Sequence, residues 1–384
     1  MVQRTTLAAV GPLDPLCDGA QDHDLVLRLS EHVPPAAIRH VPEMLYHWRK
    51  TAGSTAVDTG NKPYARLAGI RAVSGHLARL GRPASVTSLR DTTFYRVAWH
   101  YEDAPEVAII IPYRDRIAMT RECVSRVLGR TDYARFEVIL VDNWSVSPEA
   151  AAFAAEMAAL PRVRVLRIEE EFNYSRLNNA AVEQTDAPFL VFMNNDLFVE
   201  ATDWLRVLVN EALADERVGI VGGKFVYPDR TVQHGGVVIG VGGVAGHVHS
   251  HLPEHHPGYG ARAIVAQQLS AVTAAAMLVR TEAFYAADGF DERDLRVAFN
   301  DIDLCLKVGA AGYRIVWTPD FLAEHRESIS RGRDDRPDKE SRVFHEVQTM
   351  IERWGDTLAS DPFYNRWLSL HGTPFHTLGE PTGS

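Results

Sequence analysis

The chain has 384 residues, 46% of them hydrophobic and 23% charged, which is material for two or three domains with ordinary cores. Its 40 basic and 50 acidic residues leave a formal charge of −10, opposite to the basic face of a nucleic-acid binder, so no nucleic-acid partner is expected. Cys17, Cys123 and Cys305 are widely spaced and form no CxxC pair, which speaks against a zinc site or a disulfide framework and for a reduced cytoplasmic setting. Residues 1–16 lack a signal-peptide pattern, and the longest apolar runs, APEVAIII and AVTAAAMLV, are of core-strand length. Peripheral contact with the inner face of a membrane stays open.

In chain order, residues 51–63 read as a loop, 64–82 as a helix and 83–105 as a connector. From Glu106 the pattern alternates. EVAIII (106–111) is a short branched apolar run, as a buried parallel strand requires. IAMTRECVSRVLGRT then reads as a helix, FEVILVD (136–142) as a strand and SPEAAAFAAEMAAL as a helix. VRVLRI (163–168), SRLNNAAVEQT, PFLVFM (188–193) and WLRVLVNEALAD continue the strand–helix rhythm. Such alternation predicts βαβ units, a mostly parallel sheet and helices on both faces.

Beyond residue 220 the rhythm changes. KFVYPDRTVQHGGVVIGVGG holds two short strand patterns around Pro-Asp, and a histidine-rich loop, His247 to His256, follows. Its glycines and prolines predict a mobile lid or acceptor loop, and Gly235 and Gly236 room for a sugar or a strand bulge. LSAVTAAAMLV reads as a buried strand, TEAFYAADGF as a short helix, DIDLCLKVGAAGY as a helix, RIVWTP as a strand and SRVFHEVQTMIERWG as a closing helix. The second half is therefore an α+β elaboration of a doubly wound first half.

Two segments resemble each other: QDHDLVLRLSEHVPPAAIRHVPEMLYHWRKTAGS (21–54) and NDIDLCLKVGAAGYRIVWTPDFLAEHRESISRG (300–332). Asp22 precedes Pro42 by 20 residues and His47 by 25; Asp301 precedes Pro319 by 18 and His325 by 24. Each is expected to open a helix and run into a strand that ends near the proline. Nothing before Asp22 supplies the sheet that precedes the second copy, so residues 1–60 are expected to be the C-terminal remnant of an upstream domain. Residues 61–105 would be a helical linker, 106–370 one complete domain and 371–384 a tail.

Carboxylates and amides collect at strand ends: Asp142 and Asn143 after one strand, Asn194, Asn195 and Asp196 after another. In open α/β sheets ligands bind outside the carboxyl ends of the strands, and hard oxygen ligands there suit Mg²⁺ or Mn²⁺. Each motif alone is better explained by a turn; the pair on one sheet favours a site. No GxGxxG or GxxxxGK[ST] follows the first strand, where IPYRDR stands instead, which excludes the dinucleotide and phosphate-loop readings.

The set IIIPYRD, VDN, FNYSRLNNAAVEQTDAPFLVFMNND, QHGGVVIG, FNDIDLC and HRESISRG resembles the inverting family 2 glycosyltransferases of GT-A fold, in particular the bacterial rhamnosyltransferase-like branch of surface-polysaccharide enzymes. The resemblance implies a nucleotide-diphospho-sugar transferase sheet with an α+β acceptor-side half. It implies donor contacts from Pro112, Tyr113, Asp142, Asn179, Asn194 and Asn195. The metal motif of the family falls on Asn194–Asp196, with Asn in place of its first Asp, which leaves Asp196 as the anionic ligand of Mn²⁺ or Mg²⁺. His325 is an expected further ligand and Arg331 a diphosphate contact; a surface loop explains either equally well.

The family's catalytic base falls on Asp301 at a helix start. Helix N-termini favour anions, and a base must be ionised to accept a hydroxyl proton. Asn300 capping the helix with Asp303 three residues on is the structural alternative. The implied reaction is inverting transfer from a nucleoside-diphosphate sugar to a hydroxyl of a glycan or lipid-linked acceptor. A degenerate sugar-nucleotide-binding partner of an active glycosyltransferase chain is the rival, and a nucleotidyltransferase lacks its Gly-rich loop.

Overall fold

The computed structural model describes residues 1–41, 43, 45–47, 63–89, 92–326 and 337–379. The chain divides into two compact units, Met1–Tyr101 and Glu102–Ser384. All three cysteines are buried and free. Among the described residues no helix is long and apolar enough to cross a membrane.

The first unit holds helices α1 (Arg4–Val10), α2 (Gln21–His32) and α3 (Pro63–Arg79), and a hairpin of β1 (Ala84–Ser88) and β2 (Tyr95–Trp99). Glu31 of α2 accepts from Arg79 and lies 2.6 Å from His76 Nδ1, both on α3, and the Arg79 contact leads in holding its carboxyl below the usual range. Gly69 is needed on α3, because a Cβ there would run into the Tyr95 ring. The 61–105 segment expected as a linker thus supplies a helix and a hairpin to the same unit as residues 1–60. The helix expected at Asp22 is α2. The strand expected after it is absent from residues 33–41, which hold a 3-10 turn at Pro35–Ala37; Pro42 lies outside the described residues. The corresponding strand of the second copy pairs with neighbouring strands, whereas residues 33–41 pair with no strand among the described residues.

The second unit is built on a ten-stranded sheet. β3 (Val107–Tyr113), β4 (Phe136–Asp142), β5 (Val163–Arg167) and β6 (Phe189–Met193) are mutually parallel in the order β5-β4-β3-β6. Helices α4 (Ile117–Arg130), α5 (Ala150–Ala158) and α6 (Tyr174–Val182) make the crossovers. Alternation along β3 explains the double winding. Val107, Ile109 and Ile111 pack into one buried cluster with residues of α4 and α5, whereas Ala108 and Ile110 pack into another with residues of α6. The chain steps from β3 to β4 on one side and reaches β6 on the other, so the switch of strand order lies at β3/β6.

Beyond β6 come β7 (Leu197–Val199), α7 (Trp204–Leu213), β8 (Val218–Val226), β9 (Val232–His234), β10 (Val237–Ile239), β11 (Ala245–His247), β12 (Gln267–Leu269) and β13 (Ala276–Arg280). α8 (Thr281–Ala286), α9 (Asn300–Ala310), β14 (Arg314–His325) and α10 (Pro337–Leu358) complete the unit. The sheet is mixed rather than mostly parallel, since β13 inserts antiparallel between β6 and β8. VGIVGG lies in β8, and its glycines lie under neighbouring side chains, Gly222 beneath Val272 and Gly223 beneath Phe321.

Candidate active site

The C-terminal ends of β3 and β6 open on a cleft of about 630 Å³. Pro112 and Tyr113 line it from β3, Asn143 from the end of β4, and Asn194, Asn195 and Asp196 from the end of β6. The β3 loop turns sharply, with Asp115 and Arg116 both at positive φ. Asp115 pays back that conformation by accepting the N–H groups of Val146 and Ser147 at 2.8 and 2.7 Å. Burial works against the Asp115 carboxylate, but these N–H groups hold its pKa below the usual value. The Tyr113 ring meets Phe153 edge-on at 5.6 Å, and burial pushes its phenol pKa up.

Asp142 is buried at the strand end, where it accepts from Ser145 N–H at 2.9 Å and from Arg167 at 2.7 Å. Asn143 beside it donates to the Glu170 carbonyl. Asn195 donates to Thr120 of α4 at 2.9 Å, which fixes the strand end to the helix. Asn179 acts at a distance from the cleft floor: its amide donates to the Phe290 carbonyl and to Glu292, and its oxygen accepts from Phe290 N–H.

Asp196 and His325, 129 residues apart, meet through Asp196 Oδ1 and His325 Nε2 at 3.1 Å, and both are buried. His325 ends β14, which pairs with β7 directly after Asp196. Two ligands on neighbouring vertices of an octahedral ion with bonds of roughly 2.1 Å lie about 3 Å apart. The oxygen and nitrogen pair therefore fits a divalent ion, and a nitrogen ligand favours Mn²⁺ over Mg²⁺. Among the described residues no group of three or more His, Cys, Asp or Glu could hold a metal.

A second, polar recess of about 330 Å³ adjoins the first and shares Tyr174, Asn194 and Val297 with it. Asp301 lines this recess together with Thr273 and His247. Its carboxylate accepts from the N–H groups of Ile302 and Ala274 at 2.9 and 3.1 Å. Asp303 is buried away from it, accepting from Arg353 and Trp354 at 2.8 and 2.9 Å and paired with Lys307 at 3.1 Å. The helix cap expected from Asn300 is absent: Phe299 occupies that position at positive φ, and Asn300 donates to the Val297 carbonyl.

Sequence reasoning missed four arginines. Arg114, Arg116, Arg296 and Arg342 all line the larger cleft of a chain that is acidic overall. RDR after the first strand was a visible signal for two of them; Arg296 and Arg342 arrive only through folding. Arg331 lies outside the described residues. The space at Gly235 and Gly236 is taken by the chain itself, since a Cβ on Gly235 would sit 2.9 Å from the Val248 carbonyl. Within the histidine-rich segment His249 stacks on Phe375 and His251 on Tyr227, whereas His255 and His256 are exposed.

Residues 108–283 match the family profile Glycosyl transferase family 2. Over that span the chain is similar to the family 2 glycosyltransferases. Across 93% of its length the chain is 47% identical to the uncharacterized protein y4gI of Sinorhizobium fredii (strain NBRC 101917 / NGR234), of which it spans 40%. Across 97% of its length it is 40% identical to the O-antigen biosynthesis protein RfbC of Myxococcus xanthus, of which it spans 28%. The chain thus covers well under half of either relative. Among solved structures, GalNAc-T7 with UDP, GalNAc and Mn²⁺ superposes with a TM-score of 0.54 at 14% identity, over 71% of this chain and 52% of that one. That likeness shows the fold, which is of GT-A type.

Proposed function

We propose that the glycosyltransferase domain transfers a sugar, with inversion, from a nucleoside-diphosphate donor to a hydroxyl of a glycan or lipid-linked acceptor in surface-polysaccharide synthesis. One observation carries the proposal: the Asp301 carboxylate lines a polar recess that adjoins, at Tyr174 and Asn194, the cleft lined by Asp196, which His325 meets at 3.1 Å. A donor in the larger cleft and an acceptor in the recess would meet at that junction. Asp301 would take the acceptor proton, and a single base with no second nucleophile suits direct displacement. Asp196 and His325 would hold the divalent ion, Mn²⁺ or Mg²⁺; when bound, it supplies charge stabilisation of the departing diphosphate. Arg114, Arg116, Arg296 and Arg342 supply further positive charge along the cleft, suited to phosphate oxygens. Pro112, Tyr113, Asn143, Asn194 and Asn195 would contact the donor. Asp142 and Asn179 would act by holding the cleft's walls.

Residues 1–60 are proposed to derive from the C-terminal part of a second such domain. The pairing of Asp24 with Arg28 four residues on, at 2.8 Å, supports this, because Asp303 pairs with Lys307 in the same way.

The deciding variant is Asp301→Asn, which preserves shape but cannot accept a proton. Transfer should fall on the order of a hundredfold or more, while donor binding measured by calorimetry stays within a few fold. Near-normal transfer would remove Asp301 from the reaction. The rival reading, a non-catalytic sugar-nucleotide-binding partner, is favoured only by Asn194 standing where the family has an acid; it predicts donor binding with no turnover in the wild type.

A further inference from the structure

We infer that Gln233 is a positioning residue for His325, fixing the imidazole proton on Nδ1 and so keeping the Nε2 lone pair available to the metal. The inference rests on the proposed metal role of Asp196 and His325. Gln233 Oε1 lies 3.1 Å from His325 Nδ1. A carbonyl oxygen only accepts, so the N–H of that contact belongs to Nδ1. An imidazole that ligates a metal through Nε2 carries its one N–H on Nδ1, which is the proton that Gln233 Oε1 would accept. His325 Nε2 lies 3.1 Å from Asp196 Oδ1, and these are the two atoms that would hold the ion.

The local backbone explains why Gln233 reaches His325. β9 pairs antiparallel with the edge of β8 through His234↔Phe225 and Val232↔Val226, with a register shift between Phe225 and Val226. Three residues of β9 therefore oppose two of β8, and Gln233 is the extra residue of a bulge. Bulges re-aim one side chain out of the ladder and recur beside active sites. The Gln233 carbonyl is likewise turned out: it accepts from Ser250 Oγ at 3.3 Å and lies 3.4 Å from His247 Nδ1. The side chain is buried, 5% exposed, so its amide oxygen has little water to turn to. His247 lines the recess with Asp301. One bulged residue thus touches the proposed metal ligand through its side chain and the acceptor-side loop through its backbone.

The test is Mn²⁺ titration of the full chain, with free Mn²⁺ counted by electron paramagnetic resonance, for wild type, His325→Ala, Gln233→Leu and Gln233→Glu. Melting of each without metal serves as the folding control. Loss of an outer-shell partner typically lowers metal affinity about tenfold to a hundredfold, and that is the expected result for Gln233→Leu. Gln233→Glu retains an acceptor and should bind Mn²⁺ at least as tightly as wild type. Should Gln233→Leu fail to fold, Gln233→Glu decides alone. Wild-type affinity in Gln233→Leu, with weakened binding in His325→Ala, would overturn the inference and leave the metal site standing. A loss in Gln233→Glu of tenfold or more would likewise overturn it, by reducing Gln233 to packing. If wild type shows no saturable Mn²⁺ binding, the metal reading itself fails and this inference with it.

Discussion

Two carboxylates two positions apart on α9 have opposite environments. Asp301 lines the recess and, among the described residues, accepts from two backbone N–H groups, whereas Asp303 is fully buried among Lys307, Arg353 and Trp354. Removing one partner of a buried ion cluster leaves uncompensated charge, which typically costs roughly 3–5 kcal/mol. Asp303→Ala should therefore lower the Tm by several degrees or prevent folding, where Asp301→Asn melts like wild type. Equal melting of the two variants would refute this division of labour. The helix start marked both acids in the sequence, and residues two apart on a helix point to different sides. Which side faces the recess depends on how α9 packs, and no spacing rule contains that.

At the scale of elements, the strand–helix alternation from β3 to β6 was legible because β3 and β6 are short unbroken apolar runs, β4 is nearly so and the more polar β5 keeps the rhythm between helices. β8 was not, because its glycines dilute the apolar pattern; they answer to Val272 and Phe321 packing from elsewhere in the chain. The direction of β13 was equally hidden, since a fully buried strand reads alike in either orientation. The junction of α7, β8 and β14 offers a pH test. Asp215 pairs with Arg217 and Arg314, and the Arg217 hydrogen bond leads in lowering its pKa to about 2. A depressed carboxylate contributes stability above its unfolded value near 3.8, and that contribution is lost as pH falls through about 2. Because Arg217 is half exposed, roughly 1–2 kcal/mol is expected. Asp215→Asn should be less stable than wild type near neutral pH, with the gap closing in acid. A gap that stays constant with pH would assign the loss to packing instead.

For the whole molecule, every candidate site residue lies in the second unit, Glu102–Ser384. The first unit has its own α2–α3 contacts through Glu31 and its own hairpin. It also carries exposed apolar side chains, among them Leu13, Leu16, Leu45, Tyr46 and Leu67. Deleting residues 1–101 should leave donor hydrolysis within a few fold of the full chain, measured as released nucleotide. Loss of hydrolysis in a well-folded 102–384 fragment would place part of the active machinery in the first unit.

The sequence by itself determined the βα order of the second unit's first half, the acids and amides at its strand ends, and the helix whose first turn holds Asp301. These are local properties: strand and helix periodicity, and turn chemistry, act over a few residues. Tertiary structure decided the rest. It brought Asp196 and His325 within 3.1 Å across 129 residues of chain, set Gln233 behind them on a bulge, and gathered four arginines into one cleft. It also gave residues 61–101 a place in a compact unit. Such contacts follow from which buried faces pair and in what register, and that is settled by packing over the whole domain.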